Sequence, residues 1–278
     1  MTVFAILRHY VARLGVLAAM SLLGACAAVN TTSTGDVGVQ RTQYMSGLVS
    51  EQELLAEARQ QYNSLLGQAK AQGALDTNPA MTHKVQAIAR KLIDQVGVFR
   101  PDAAQWDWAV HVLNTDEVNA WCMPGGKMAV YSGLIEQLKP SDAELAAVIG
   151  HEMAHALREH AREQVSQQMV TGVGLSVLAA ITGTQATADL GGQLMDVMFS
   201  LPNSRTHEAE ADLIGVELAA RAGYDPRAAV TLWQKMAALG ERSTPEFLST
   251  HPSPETRSQD LAHAAERVMP LYERARSR

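Results

Sequence analysis

The chain has 278 residues, of which 47% are hydrophobic and 19% charged, and its formal net charge is −6. This composition is typical of a globular protein that can bury a sizeable core, and it excludes a disordered chain. The negative charge argues against nucleic acid as a main partner. No internal repeat is visible, which argues against a solenoid or propeller.

Residues 1–25 are predicted to form a lipoprotein signal peptide. Arg8 and Arg13 precede an apolar run that is too short to span a bilayer comfortably. The run ends in Leu-Gly-Ala-Cys, which resembles a bacterial lipobox, so cleavage would leave Cys26 as the lipidated terminus. The expected location is the periplasm, with a lipid anchor in the outer membrane. A plain secretory peptide with an incidental Cys26 is the alternative.

Residues 26–46 are rich in Thr, Ser and Gly and show no apolar period, which predicts a flexible tether. Residues 47–278 are then predicted to form one domain. The chain contains two cysteines. If Cys26 is acylated, Cys122 has no partner, and no internal disulfide is expected.

The domain is predicted to be α+β, with a small sheet ahead of a long helix. Strands are expected at 106–113 and on both sides of Pro124-Gly125-Gly126. Ser141 and Glu144 form a capping box that starts a helix running to about residue 168. Further helices are predicted at 51–71, 80–96, 205–222, 226–239 and 254–268.

Residues 169–198 are apolar and rich in glycine. A membrane span is conceivable, but polar residues and glycines interrupt the run. Buried helices or a cover over the active site are the preferred interpretation.

The long helix carries the motif HEMAH, with His151, Glu152 and His155. With nine histidines and 29 acidic residues in the chain, about 0.03 such motifs are expected by chance. His151 and His155 lie about 40° apart on one helix face, so both imidazoles can reach one metal ion. Glu152 lies beside that metal, where it can accept and return a proton. The alternative is an ordinary helix with three polar residues.

A catalytic zinc needs a third protein ligand and an open position for water. In the helix predicted at 205–222, Glu208 and Asp212 flank the buried face, which makes Glu208 the expected third ligand. Asp212 is expected to hold a ligand imidazole by a hydrogen bond. Glu210 falls on the side expected to be solvated, and His160, about 180° from the first motif histidine, is expected at the surface.

HEMAH, SRTHEAEADLIGVELAARAGYDP and LSTHPSPETR together resemble the zinc metallopeptidase family of the HtpX heat-shock protease and the CAAX prenyl protease, and most closely its periplasmic BepA- and LoiP-like branch. The resemblance covers about residues 50–270. It implies a mostly helical zincin fold of the gluzincin type, one Zn²⁺ per chain and peptide-bond hydrolysis. It also implies that Glu208 binds the zinc and that Asp212 is its structural partner.

The resemblance implies further roles outside the motif helix. His251 would reach the active site from a loop, either to stabilise the oxyanion or to occupy the fourth zinc position, although the residues alone favour an ordinary turn. Arg257 would anchor that loop. Asn119 and Ala120 would lie on an edge strand that pairs with extended substrate, and a plain core strand is the alternative for their neighbours.

The function predicted from these features is zinc-dependent, ATP-independent endopeptidase activity on unfolded or misassembled cell-envelope proteins. No nucleotide-binding G-x-x-x-x-G-K-[ST] motif is present. The alternative is an envelope assembly factor that binds immature outer-membrane proteins, works with the outer-membrane assembly machinery and keeps its zinc site closed with His251.

Overall fold

The computed structural model describes residues 26–182, 189–240, 245–252 and 256–277. The predicted signal peptide therefore lies outside the described residues. The fold is α+β and mostly helical, as predicted. The strands are β1 (Cys26–Val29), β2 (Gln43–Ser46), β3 (Ala109–Leu113), β4 (Ala120–Met123) and β5 (Lys127–Tyr131). The helices are α1 (Glu51–Ala71), α2 (Pro79–Ile93), α3 (Ser132–Leu138), α4 (Asp142–Leu157), α5 (His160–Thr182), α6 (Leu190–Phe199), α7 (Arg205–Arg221), α8 (Ala228–Gly240), α9 (Glu246–Thr250) and α10 (Arg257–Arg276).

The start of α4 is fixed by the predicted capping box. The Ser141 N–H donates to the Glu144 carboxylate at 2.7 Å, and the Glu144 N–H donates to the Ser141 hydroxyl at 3.3 Å. The same carboxylate accepts hydrogen bonds from Lys235 at 2.8 Å and Thr231 at 2.9 Å, both on α8. Two free N–H groups of the helix start are satisfied in this way, and the motif helix is held against α8.

The long helix predicted from residue 141 to about 168 is broken. Helix α4 ends at Leu157, and Glu159 takes a left-handed conformation, with a φ of 52°. This conformation is uncommon for a residue with a side chain. It is held by Arg100, which donates to the Glu159 carboxylate at 2.5 Å, and by Arg162, which donates at 2.8 Å. Because of the break, the angular spacing of α4 does not continue into α5.

The central sheet has the order β3-β5-β4, with β3 parallel and β4 antiparallel to β5. The Pro-Gly-Gly segment joins β4 to β5, as predicted. Gly126 there has a φ of 77°, and a Cβ would lie 2.5 Å from the Trp108 ring, so only glycine fits. Within the described residues β4 pairs only with β5, which leaves its other edge open.

Residues 26–46, here called the amino-terminal strap, are not a flexible tether. Strands β1 and β2 pair in antiparallel fashion. Val37, Val39 and Met45 are buried in the body of the protein, and the Val37 N–H donates to the buried carboxylate of Glu217 at 2.8 Å. The polar composition of the strap predicted a tether surrounded by solvent. In the structure, polar groups of the strap instead bond to buried charged side chains of the domain.

Helices α5 and α6 occupy most of the apolar segment 169–198. On α6, Leu194 and Val197 are buried in a cluster with Trp121 and Tyr62, which agrees with the expectation of buried helices here. Residues 183–188 lie outside the described residues. Across the part of the chain that the structure describes, no helix is both long and apolar enough to span a membrane.

The last helix is longer than the sequence indicated. A helix was predicted at 254–268, whereas α10 continues to Arg276 with Pro270 inside it. Proline removes one hydrogen bond to the carbonyl four residues earlier. Both Pro270 and Glu266 are exposed, so that carbonyl can bond to water and the helix continues.

Helices α4 and α7 cross with their backbones in direct contact. A Cβ at Gly150 would lie 2.9 Å from the Gly215 carbonyl oxygen, and a Cβ at Gly215 would lie 2.7 Å from the His151 nitrogen. Glycine on both helices therefore permits this separation. The crossing brings the motif histidines of α4 next to the acidic residues of α7.

We expect Gly215→Ala to lower the free energy of unfolding by about 1–3 kcal/mol, because the new methyl group meets backbone atoms that cannot rotate away. Urea unfolding followed by circular dichroism measures this change. The matched control is Gly67→Ala on α1, where a Cβ meets nothing within 4 Å. That variant should be as stable as wild type or more stable, and equal stability of both variants would show that the crossing tolerates a side chain.

Candidate metal centre

Four side chains from three elements converge between α4 and α7. They are His151 and His155 from α4, Glu208 from α7 and His251, which follows α9. One ligand atom from each lies within 4.8 Å of every other, and all four residues are buried. The structure thus brings together the three predicted ligands and the predicted loop histidine.

The separations of these atoms fit a tetrahedral metal site. Zinc bonds of about 2.0–2.1 Å place ligand atoms about 3.3 Å apart. The His151 and His155 Nε2 atoms are 3.1 Å apart, and they lie 3.5 and 3.3 Å from the two oxygens of Glu208. Glu152 Oε1, beside the cluster, is a buried oxygen without a hydrogen-bond partner among the described residues. Imidazole and carboxylate ligands are typical of Zn²⁺.

Asp212 holds the first ligand imidazole, in the position that the sequence predicted. Its Oδ1 lies 3.0 Å from His151 Nδ1. A carboxylate can only accept, so the proton of His151 lies on Nδ1 and its Nε2 presents a lone pair to the cluster. This is the arrangement that a metal ligand needs.

The sequence predicted only that Arg257 anchors the loop of His251. In the structure, Arg257 also contacts the acidic residues of the site. Its guanidinium donates to Glu208 Oε2 at 2.9 Å and to Asp212 Oδ1 at 2.7 Å. It also lies over the Trp233 ring at 3.3 Å, a favourable cation–π contact. One buried cation therefore bridges the two acidic residues of the site.

Glu152 faces the cluster without belonging to it. Its Oε1 lies 3.5 Å from His251 Nε2. Burial raises the pKa of the Glu152 carboxyl, although His251 and His151 oppose the effect. A carboxyl group whose pKa is moved toward neutrality is suited to accept a proton and return it.

The predicted substrate edge borders the same site. Asn119 and Ala120 line a cleft together with Glu152 and His251. The Asn119 side-chain oxygen accepts the Ala120 N–H at 2.8 Å. The cleft volume is about 30 Å³, enough for water but too small for a peptide.

His160 and Glu210 were predicted at the surface, and both predictions were wrong. They are 1% and 5% exposed, respectively. His160 Nδ1 lies 2.9 Å from His155 Nδ1, and its Nε2 lies 3.0 Å from Glu210 Oε2. The break at Glu159 turns His160 toward the site. No local pattern indicates this break, because neither glycine nor proline stands there.

Two arginines from distant parts of the chain neutralise the buried acids near His160. Arg41 of the strap donates to Glu163 at 2.7 Å and to Glu210 at 2.8 Å. Arg158 donates to Glu210 at 3.1 Å. Burial opposes ionisation, but hydrogen bonds from His160, Arg41 and Arg158 lower the pKa of Glu210 to about 2. The carboxylate is therefore an obligate acceptor at neutral pH.

Comparison with known proteins gives one family. The model of peptidase family M48 matches residues 79–265. The mitochondrial metalloendopeptidase OMA1 of Arabidopsis thaliana is 42% identical over 157 residues, which cover 56% of this chain and 31% of that protein. The mitochondrial metalloendopeptidase OMA1 of Bos taurus is 36% identical over 185 residues, or 62% of this chain and 35% of that protein.

A bacterial relative is more distant. The beta-barrel assembly-enhancing protease of Escherichia coli is 29% identical over 214 residues, which cover 73% of this chain and 43% of that protein. The chain thus spans less than half the length of each of these relatives. The predicted resemblance is confirmed for the family, whereas higher identity to the mitochondrial proteins gives no support to the predicted bacterial branch.

The predicted location, a periplasmic lipoprotein of the outer membrane, was wrong. The relatives at 36% and 42% identity are mitochondrial proteins. The prediction rested on basic residues, a short apolar run and a cysteine, and basic leaders serve several compartments. Acylation of Cys26, the first residue of β1, stays an untested prediction.

We expect Arg257→Lys to lower the free energy of unfolding by about 1–3 kcal/mol, because an ammonium group cannot reproduce the two fixed hydrogen bonds or the stacking. Thermal unfolding in the presence of a chelator measures this loss without any contribution from metal. The matched control is Arg227→Lys, an exposed residue paired with Asp225. The control should unfold like wild type, and an unchanged Arg257→Lys variant would contradict a bridging role.

Proposed function

The chain belongs to peptidase family M48, and we propose that it is a zinc-dependent endopeptidase. The observation that carries the proposal is the convergence of His151, His155 and Glu208 on one point, with Glu152 beside it. The relatives at 36% and 42% identity are named metalloendopeptidases, which supports the same reaction here.

Each residue of the site has a distinct part in this reaction. Zinc, when bound by His151, His155 and Glu208, supplies Lewis-acid polarisation of the scissile carbonyl and activation of water. Glu152 takes the proton from the attacking water and delivers it to the leaving amine. Asp212 keeps its ligand imidazole in the required tautomer.

The proposed substrates are unfolded or locally extended polypeptides. The open edge of β4 runs along the cleft, so a substrate in extended conformation can pair with it through main-chain hydrogen bonds. Such pairing requires few particular side chains, and Asn119 and Ala120 lie where it would begin. The cell-envelope origin of the substrates depended on the corrected location and is not part of the proposal.

We expect Glu152→Gln to retain zinc but to hydrolyse unfolded casein about 10²–10⁴-fold more slowly, because the amide cannot accept the proton. Zinc content by atomic absorption and release of labelled casein fragments give the two readouts on the full chain. The matched control is Glu136→Gln, an exposed acid on α3, which should retain both zinc and activity.

Two outcomes would count against this proposal. Absence of zinc from the wild-type protein would remove the site assignment itself. Bound zinc without hydrolysis by any variant would favour the second candidate, a factor that binds unfolded proteins during assembly. That candidate is consistent with the position of the His251 imidazole against Glu208, and the bacterial relative is named for barrel assembly.

His251 is proposed to act as a latch on the resting enzyme. Its Nδ1 lies 2.9 Å from Glu208 Oε1 and 3.3 Å from His151 Nε2, where a fourth ligand would be. Its ring stacks on Phe247, with a centroid distance of 4.3 Å. The imidazole therefore occupies the position that water needs for catalysis.

We expect His251→Ala to hydrolyse casein faster than wild type. The ratio of the two rates should be roughly the inverse of the fraction of wild-type molecules in which His251 has left the position of the fourth ligand. Initial rates at saturating zinc measure the change. His263→Ala, which removes an exposed histidine on α10, is the control and should leave the rate unchanged. A slower His251→Ala variant would instead make His251 a participant in the reaction.

A further inference from the structure

A second imidazole stands behind the metal ligand His155. His160 Nδ1 lies 2.9 Å from His155 Nδ1, on the side of the ring that faces away from the ligand cluster. The other nitrogen of His160 lies 3.0 Å from Glu210 Oε2. His155, His160 and Glu210 thus form a continuous chain of hydrogen bonds.

The carboxylate of Glu210 at the end of this hydrogen-bond chain determines which group donates in each bond. An ionised carboxylate only accepts hydrogen bonds, so the proton of a neutral His160 lies on Nε2. Its Nδ1 is then an acceptor, and the proton of the contact with His155 belongs to His155 Nδ1. His155 Nε2 is left with a lone pair that points toward Glu208 Oε1, at 3.3 Å. This is the tautomer that a metal ligand needs.

Two arginines that do not belong to this hydrogen-bond chain hold the Glu210 carboxylate in place. Arg158 donates to both oxygens of Glu210, at 3.1 and 3.2 Å. Arg41 of the amino-terminal strap also donates to both, at 2.8 and 3.1 Å. Gln43 of the strap also holds the main chain of Arg158, because its side-chain amide donates to the Arg158 carbonyl oxygen at 2.6 Å.

We propose that His160 and Glu210 are positioning residues that fix the tautomer and orientation of the zinc ligand His155, with Arg41 of the strap holding Glu210 in place. The inference rests on the proposed zinc site, since it concerns how a ligand of that site is prepared. The strap thereby belongs to the metal centre, although it lies more than one hundred residues away in sequence.

The most informative variant is Glu210→Gln. A glutamine amide can donate to His160 Nε2, which allows the chain to reverse and places the proton of His155 on Nε2, the ligand atom. We expect zinc to bind about 10–100-fold more weakly, as measured by competition with a chromophoric chelator. Arg41→Gln, which removes one of the two arginines on Glu210, should weaken binding in the same direction by less.

His160 can be tested with a conservative pair of variants. In His160→Asn the amide oxygen can still accept the His155 Nδ1 proton, whereas His160→Ala leaves that nitrogen without a partner. We expect the asparagine variant to bind zinc more tightly than the alanine variant. Equal affinities of the two would contradict a role for the acceptor.

Glu217→Gln is the matched control. Glu217 is a fully buried carboxylate on the same helix, and it accepts from the Val37 N–H of the strap and from Arg221. Glu217→Gln should lower stability but leave zinc affinity unchanged, because Glu217 lies outside the hydrogen-bond chain to His155 and a glutamine oxygen can still accept the Val37 N–H that holds the strap. Equal losses of affinity in Glu217→Gln and Glu210→Gln would make the effect a general loss of structure and overturn the proposal.

The tautomer itself can be observed without metal. Long-range ¹H–¹⁵N correlation spectra of the metal-free protein should show the wild-type His155 protonated at Nδ1 and a changed tautomer in Glu210→Gln. An unchanged tautomer overturns the proposal and leaves the peptidase assignment intact. Failure of the wild type to bind zinc would instead overturn the assignment on which the proposal rests.

Discussion

The contact between the backbones of α4 and α7 is the constraint on which the rest of the site depends. Gly150 and Gly215 let the two helices approach until peptide groups touch. The distance between His151 and Glu208 is therefore set by main-chain geometry and not by side chains that could repack. Once the helices are this close, a ligand set drawn from both of them fits one metal ion.

This close approach concentrates negative charge in a buried place. Glu208, Asp212 and Glu210 all lie on α7, and burying a carboxylate without a partner costs several kcal/mol. Two of the cations that balance them come from remote parts of the chain, Arg257 from α10 and Arg41 from the strap, and a third, Arg158, directly follows α4. Segments from both ends of the described chain therefore contribute charge-balancing side chains to the site.

Local patterns in the sequence predicted the features that depend on local structure. The motif, the capping box and the position of Glu208 on its helix all follow from helical periodicity. The break at Glu159 could not be predicted, because a left-handed residue there is held by Arg100, which is distant in sequence. The errors for His160, Glu210 and the strap share this cause: each depends on a partner that only the tertiary fold brings near.

For the proposed endopeptidase, the open edge of β4 has a consequence for the rate at which different proteins would be cut. A chain that pairs with this edge must offer several consecutive residues with unpaired backbone groups. A folded protein offers them only while part of it is open, so its cleavage by the proposed enzyme would follow the equilibrium between its closed and open forms. Two proteins with identical cleavage segments would then be degraded at rates set by their own local stabilities.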